Sequence, residues 1–185
     1  MMLRHFILAA LLIFCAPVMA DSVDVNLNNN TAQFQYIAPV GYSEEGKAEL
    51  HAGFLYDNNN NVLGDAGLLV MSDVDKSSGT SLGVGLKAVA ALSGDFSLAL
   101  ALGGKIRSTP FVNRRIGLVG LVYVAPKIVS FGGADFLVHG GISVEYEIIK
   151  HAVAYVGYRN IRFGVENRPD MLNEKSGHLG VRISF

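Results

Sequence analysis

Three histidines (His51, His139 and His178), two glutamates (Glu145 and Glu147) and two serines (Ser130 and Ser143) are the side chains best equipped for chemistry. Imidazoles hold zinc when they cluster, but none of the three has a partner two residues along a strand or four along a helix. They read instead as polar interior groups bonded to their neighbours. Glu145 and Glu147 lie two apart and share one strand face. Such a pair suits general acid–base work. It equally suits pairing with Arg159 and Arg182 on the following segments, because an interior charge demands a partner. Neither serine has a convincing histidine partner placed to activate it. Gly103-Gly104 and Gly132-Gly133-Ala134 do not open a helix, so they offer no phosphate cradle. No catalytic, cofactor-binding or metal-ligating residue is assigned.

The elements that position these side chains show period-2 alternation. Ala48, Leu50, Ala52, Phe54 and Tyr56 share a face against Lys47, Glu49, His51 and Gly53. Leu82, Val84, Leu86 and Ala88 oppose Ser81, Gly83, Gly85 and Lys87. The longest case sets Phe136, Val138, Ile142, Val144, Tyr146 and Ile148 against His139, Gly141, Ser143, Glu145 and Glu147. Segments at Ala66–Val70, Phe96–Leu102, Ile116–Val124, Ala154–Tyr158 and Leu179–Phe185 repeat the pattern, which predicts eight strands. Opposite the large aliphatic residues lie Gly, Ala, Ser and charges. A soluble sandwich would turn a long charged face to water. Small residues suit the interior of a narrow barrel whose apolar face meets lipid. Phe54, Tyr56, Phe96 and Phe136 would form one interfacial aromatic belt, and Tyr146 and Phe185 the other.

The chain ends agree with this. Met1–Ala20 carries Arg4, an apolar run from Phe6 to Cys15, and small residues up to Ala20, the pattern of a secretory signal peptide cut after Ala20. The run is too short to span a bilayer, where about 20 residues are needed. Phe14 before Cys15 argues against a lipoprotein signal. Cleavage removes the single cysteine, so no disulfide staples the remainder. It also removes Arg4 from 15 basic residues, leaving 14 against 16 acidic ones and a net charge of −2, which offers no basic field for nucleic acid. Residues 21–185 then form one domain with no long apolar helical span. At the other end, His178, Gly180, Ile183 and the terminal Phe185 resemble the sorting signal of bacterial outer-membrane barrels, which implies the barrel assembly machinery as a partner.

Counting back from a periplasmic C-terminus places Asp57–Asn61, Ser93–Asp95, Pro126–Asp135 and Gly164–Lys175 outside. Asp73–Gly79, Ser108–Asn113 and Lys150-His151 fall inside. Ile128 and Phe131 give the Pro126–Asp135 loop a way to fold over the rim or touch lipid; a compact packed loop is the preferred reading. Residues 21–46 alternate at Val23, Val25 and Leu27 and again at Ala32, Phe34 and Tyr36, around a turn at Asn28–Asn30. This stretch reads as an added hairpin, raising the count to ten, or as a plug or loose periplasmic segment. Parity does not choose between eight and ten, since both return the chain to the same side.

The chain resembles the YfaZ family of predicted outer-membrane proteins. The resemblance is carried by Asp21-Ser-Val-Asp-Val-Asn-Leu27, Ala48-Glu-Leu-His-Ala-Gly-Phe54, Leu82-Gly-Val-Gly-Leu-Lys87, Ala125-Pro-Lys-Ile-Val-Ser-Phe131, Val156-Gly-Tyr-Arg159 and the last strand. It implies an outer-membrane barrel and supplies no activity, ligand or catalytic residue.

The expectation is therefore an all-β protein: a small antiparallel transmembrane β-barrel of 8 to 10 strands in bacterial outer-membrane lipid, behind a cleaved signal peptide at residues 1–20. A structural or envelope-interaction role leads, without enzymatic activity or cofactor. The alternatives are a narrow selective, porin-like channel and a soluble periplasmic lipocalin-like barrel. The last predicts large residues facing inward.

Overall fold

The computed structural model describes residues 21–185 apart from 44–45, 76, 92–95, 111–113 and 167–169. The signal peptide and the short connection at Ser93–Asp95 lie outside the described residues.

Among the described residues eleven strands run in chain order: β1 Ser22–Leu27, β2 Thr31–Ser43, β3 Gly46–Asp57, β4 Val62–Asp75, β5 Thr80–Ala91, β6 Ser97–Ser108, β7 Ile116–Ala125, β8 Ser130–Phe131, β9 Ala134–Ile149, β10 Ala152–Val165 and β11 Leu172–Ser184. All pairings are antiparallel, and β5 pairs with β6 to complete a ring. Two-residue β8 adds only to the edge of β6, through Leu98↔Phe131 and Ala99↔Ser130. The closed barrel thus has ten strands. Closure leaves no unpaired strand edge, which is what a sheet surrounded by lipid requires.

The stretch 21–46 belongs to the wall. β1 pairs with β11 from Ser22↔Ser184 to Leu27↔Leu179 and with β2 from Ser22↔Ile37 to Leu27↔Ala32. It is therefore the strand that closes the ring. Both termini sit at one end, where Phe185 N–H donates to the Asp21 carbonyl at 2.9 Å. We call this the terminal end and the other the loop end. Connections at the loop end include 126–133, with one 3₁₀ turn at Lys127–Val129, and 166–171. Those at the terminal end include the two-residue turn at 150–151 and the longer connection 109–115, and β2 and β3 are separated by two residues there.

Two connections are shorter than their sequence suggests. Asn173, Glu174 and Lys175 pair with Arg162, Ile161 and Asn160, so β11 begins at Leu172. The Pro126–Asp135 segment packs back on β6 through β8, with Val129 against the interior and Ile128 85% exposed.

The outward face is apolar around the whole barrel: Val25, Leu50, Leu68, Leu86, Leu102, Val122, Ile142, Val156 and Val181 are all exposed. So are five of the six aromatic residues expected at the two rims, Phe54, Tyr56 and Phe96 at the loop end and Tyr146 and Phe185 at the terminal end; Phe136 is only half-exposed, with the Arg162 guanidinium over its ring. An outer surface of this kind is stable against hydrocarbon and unstable against water.

Candidate functional site: the lumen

The inward positions divide the lumen into layers. At the loop end they are mostly apolar, with Thr31, Asp57, Ser97 and Glu174 as buried polar exceptions. Leu55 of β3, Leu63 of β4, Val89 of β5, Tyr123 of β7, Leu137 of β9, Ile161 and Phe163 of β10 and Leu172 of β11 meet in one cluster. Phe163 is 0% exposed and Leu137 1%. Residues from eight of the ten barrel strands, all but β1 and β2, thus converge across the bore. The apolar layer is possible because Ala91, Ala99, Ala101, Ala125 and Ala134 leave room between the large side chains. Inward glycines do the same lower down. A Cβ on Gly103 would lie 2.6 Å from the Tyr123 ring, and one on Gly180 2.2 Å from that of Tyr155.

Beneath this seal lies a charged layer. Lys87 Nζ sits 3.3 Å from Asp65 Oδ1 and 5.1 Å from the centre of the Tyr123 ring. Below it is a cavity of about 110 Å³, lined by His51, His139, His178, Arg159, Ser143 and Tyr155 among others. One water needs ~10–15 Å³ of such space, so the cavity has room for several. The three histidines predicted to point inward all reach this cavity. They stand on β3, β9 and β11, and no three metal-ligating side chains converge among the described residues. His51 Nε2 lies 3.4 Å from Glu49 Oε2 without hydrogen-bonding geometry. Ser143 and His178 flank Gly157 on the two neighbouring strands. Ser130 is remote from both; its hydroxyl donates to the Pro126 carbonyl at 3.2 Å.

Two arginine-centred networks brace the interior. Arg159 Nη2 donates to Glu174 Oε1 at 2.9 Å and Thr31 Oγ1 at 2.8 Å, and its Nη1 donates to Asn26 Oδ1 at 2.8 Å and to Gln33. One guanidinium on β10 thereby reaches across β11 to β1 and β2 and ties the closing strand from inside. The second network crosses the bore. Glu145 accepts from Arg107 Nε at 3.0 Å and from Arg182 Nη1 at 3.0 Å. Arg182 Nε also donates to Asp24 at 3.0 Å, and Tyr155 Oη donates to the same carboxylate at 2.5 Å. The sequence pairing of Glu145 with Arg182 holds. Arg159 takes Glu174 instead, and Glu147 lies half-buried near the terminal rim.

At the terminal end the lumen widens into a vestibule of about 520 Å³, lined by Lys47, Glu49, Asp73, Ser81, Lys105, Arg107, Glu145 and Arg182 among others. Ile37, Lys105 and Arg182 line both the vestibule and the cavity above it, and so form the throat between them.

Comparison with known proteins supports the barrel reading. The profile of a family described as "YfaZ precursor" matches residues 2–185. No curated protein matches the chain. Among solved structures, a NanC porin in a rhombohedral crystal form is similar at TM-score 0.51 and 14% identity, covering 90% of this chain and 100% of that one. A chain from work on the in-meso crystallisation of membrane proteins is similar at TM-score 0.50 and 13% identity, covering 90% and 83%. Likeness at that identity establishes the fold.

Proposed function

The chain belongs to the YfaZ family, and from that premise we propose that it is an outer-membrane barrel with a structural or envelope-interaction role, closed to through-passage and open as a cup on the periplasmic side. The terminal end then faces the periplasm and the loop end the exterior, in keeping with short periplasmic turns and longer outer loops. Residues 1–20 serve as the export signal. Outer-membrane lipid contacts the apolar wall, and the strand ending at Phe185 engages the barrel assembly machinery. The lumen's polar groups serve as bracing, with no catalytic task.

The observation that carries this reading is the apolar seal around Phe163 and Leu137, which are 0% and 1% exposed. Ions do not cross a dry apolar layer without a large desolvation cost. The test is conductance of the purified barrel in planar bilayers. The proposal expects no current steps; regular, reproducible steps from the wild-type barrel would contradict it.

A narrow selective channel is the second reading. It is favoured by the polar cavity of about 110 Å³ and the throat beneath the seal, which together carry the wet lumen well into the barrel. In that case the seal must part, and conductance would appear as brief gated openings.

A further inference from the structure

We propose that the throat between vestibule and cavity is a binding site for a small oxyanion, a carboxylate or a phosphate, entering from the periplasmic side. Its principal ligand is Lys105. The proposal rests on the reading of a lumen open at the terminal end and shut at the loop end.

Lys105 lines both the vestibule and the cavity, and it has no ion-pair or hydrogen-bond partner among the described residues. Its cross-strand neighbours explain why. It lies opposite Gly83 on β5 and Leu121 on β7, neither of which offers an acceptor side chain.

Apart from Asp73 at the vestibule mouth, the carboxylates around the throat are already committed. Glu145 holds Arg107 and Arg182, one on each oxygen. Asp24 holds Arg182 and the Tyr155 hydroxyl. Glu49 holds Lys47 at 2.6 Å and faces His51. Glu174 holds Arg159. Lys47, Lys105, Arg107, Arg159 and Arg182 thus face Asp24, Glu49, Glu145 and Glu174, with Asp73 and Asp75 farther out, and among the described residues Lys105 is the cation of this set with no ion-pair partner. An ammonium inside a barrel is costly without a counter-charge.

A second donor points the same way. The Arg159 side chain is 4% exposed and lines the cavity, and its Nε is buried with no acceptor among the described residues. A small anion at the throat would satisfy Lys105, and one reaching the cavity would meet Arg159 Nε. Charge-assisted bonds of this kind are the strong ones. Asp73 and Asp75 stand at the vestibule mouth, where they disfavour highly charged ligands. The Asp75 carboxylate is itself bonded by Ser77 and Ser78. The site therefore suits a compact anion of low charge.

The experiment uses the folded barrel in detergent with ¹³Cε-labelled lysines, titrated at constant ionic strength with sodium acetate and, separately, inorganic phosphate. The Lys105 resonance should move saturably with at least one anion, while exterior Lys127, Lys150 and Lys175 should not saturate. Saturation by acetate alone supports a carboxylate site, by phosphate alone a phosphate site, and by both a general oxyanion site. In Lys105→Gln, affinity read from the Lys47 resonance should fall about tenfold or more, the scale of a lost bond to a charged group. Lys105→Arg should retain most of it. Heat-dependent gel migration checks that both variants fold. A Lys105 resonance that merely tracks the exterior lysines with both anions means an adventitious ion only and overturns the proposal, as does undiminished affinity in folded Lys105→Gln. Bilayer conductance, recorded on the same preparation, is a separate readout. Current through the barrel would overturn the sealed lumen and leave saturable binding at Lys105 standing.

Discussion

Strand β10 shows how differently one alternating strand furnishes the two halves of the lumen. Tyr155 and Arg159 point inward among carboxylates, amides and histidines; Ile161 and Phe163, on the same face and only a few residues on, point into a dry apolar cluster. The outward face changes the other way, from exposed Val156 and Tyr158 along the wall to Asn160 and Arg162 at the loop end, where Arg162 pairs with Asp170. The barrel wall therefore follows from alternation, whereas the character of the bore follows from which residues fill the inward register. On the proposed reading the apolar half excludes water and ions. The polar half braces the closing strand and holds space for water.

The comparison breaks most visibly if the seal is removed. Phe163→Ala combined with Leu137→Ala should convert a silent barrel into one that shows current steps in planar bilayers. Large-to-small core changes typically cost about 3–5 kcal/mol for Phe→Ala and about 2–5 kcal/mol for Leu→Ala. The unfolding midpoint in urea, followed by heat-dependent gel migration, should fall accordingly. A folded double variant with no current would show that a further barrier closes the bore.

The polar half is tested by Arg159→Met. Removing one partner of a buried ion pair costs about 3–5 kcal/mol, because the other charge is stranded. Glu174 would be left without its arginine, and the β1 contacts through Asn26, Gln33 and Thr31 would be lost. Adding Glu174→Leu should recover much of the lost stability, as apolar replacement of the whole pair removes the stranded charge. Failure of the second change to help would place the effect in the amide and hydroxyl contacts instead.

The smallest effect should come from outside both halves. Lys127 in the 126–133 loop contacts Asp135 and Glu166 while 67% exposed, and its hydrogen bond to Glu166 raises its pKa. Exposed pairs of this kind contribute little. Lys127→Ala should leave the urea midpoint unchanged.

Much of this architecture is legible in the sequence, because alternation over long segments is a strong signal and lipid demands an apolar exterior. The eight strands from Lys47 onward and their outward faces are of this kind. The place of residues 21–46 is not, since parity is silent. Only the double register of β1, against β11 and β2, settles ten strands. The partner of Arg159 is hidden for a similar reason. Glu174 falls in a stretch that reads as loop, yet the pairing Arg159↔Ser176 brings it onto the same inward face two residues further along. The seal left a trace that a period-2 search averages away. Phe54-Leu55-Tyr56, Val122-Tyr123-Val124-Ala125 and Phe136-Leu137-Val138 are unbroken apolar runs at the loop ends of their strands, where both faces are buried or lipid-facing. Large inward residues were expected of a soluble barrel; here they occupy one end of a membrane barrel.

The central claim is a bore shut at the loop end and open at the terminal end. Its most direct test is thiol accessibility. In the barrel without Cys15, single cysteines at Ser81 in the vestibule and Ala125 in the seal are exposed to a membrane-impermeant reagent, in vesicles of known orientation. The account predicts that Ser81→Cys reacts only from the periplasmic side and Ala125→Cys from neither. Labelling of Ser81→Cys from the outer side, or of Ala125→Cys from either, would contradict it.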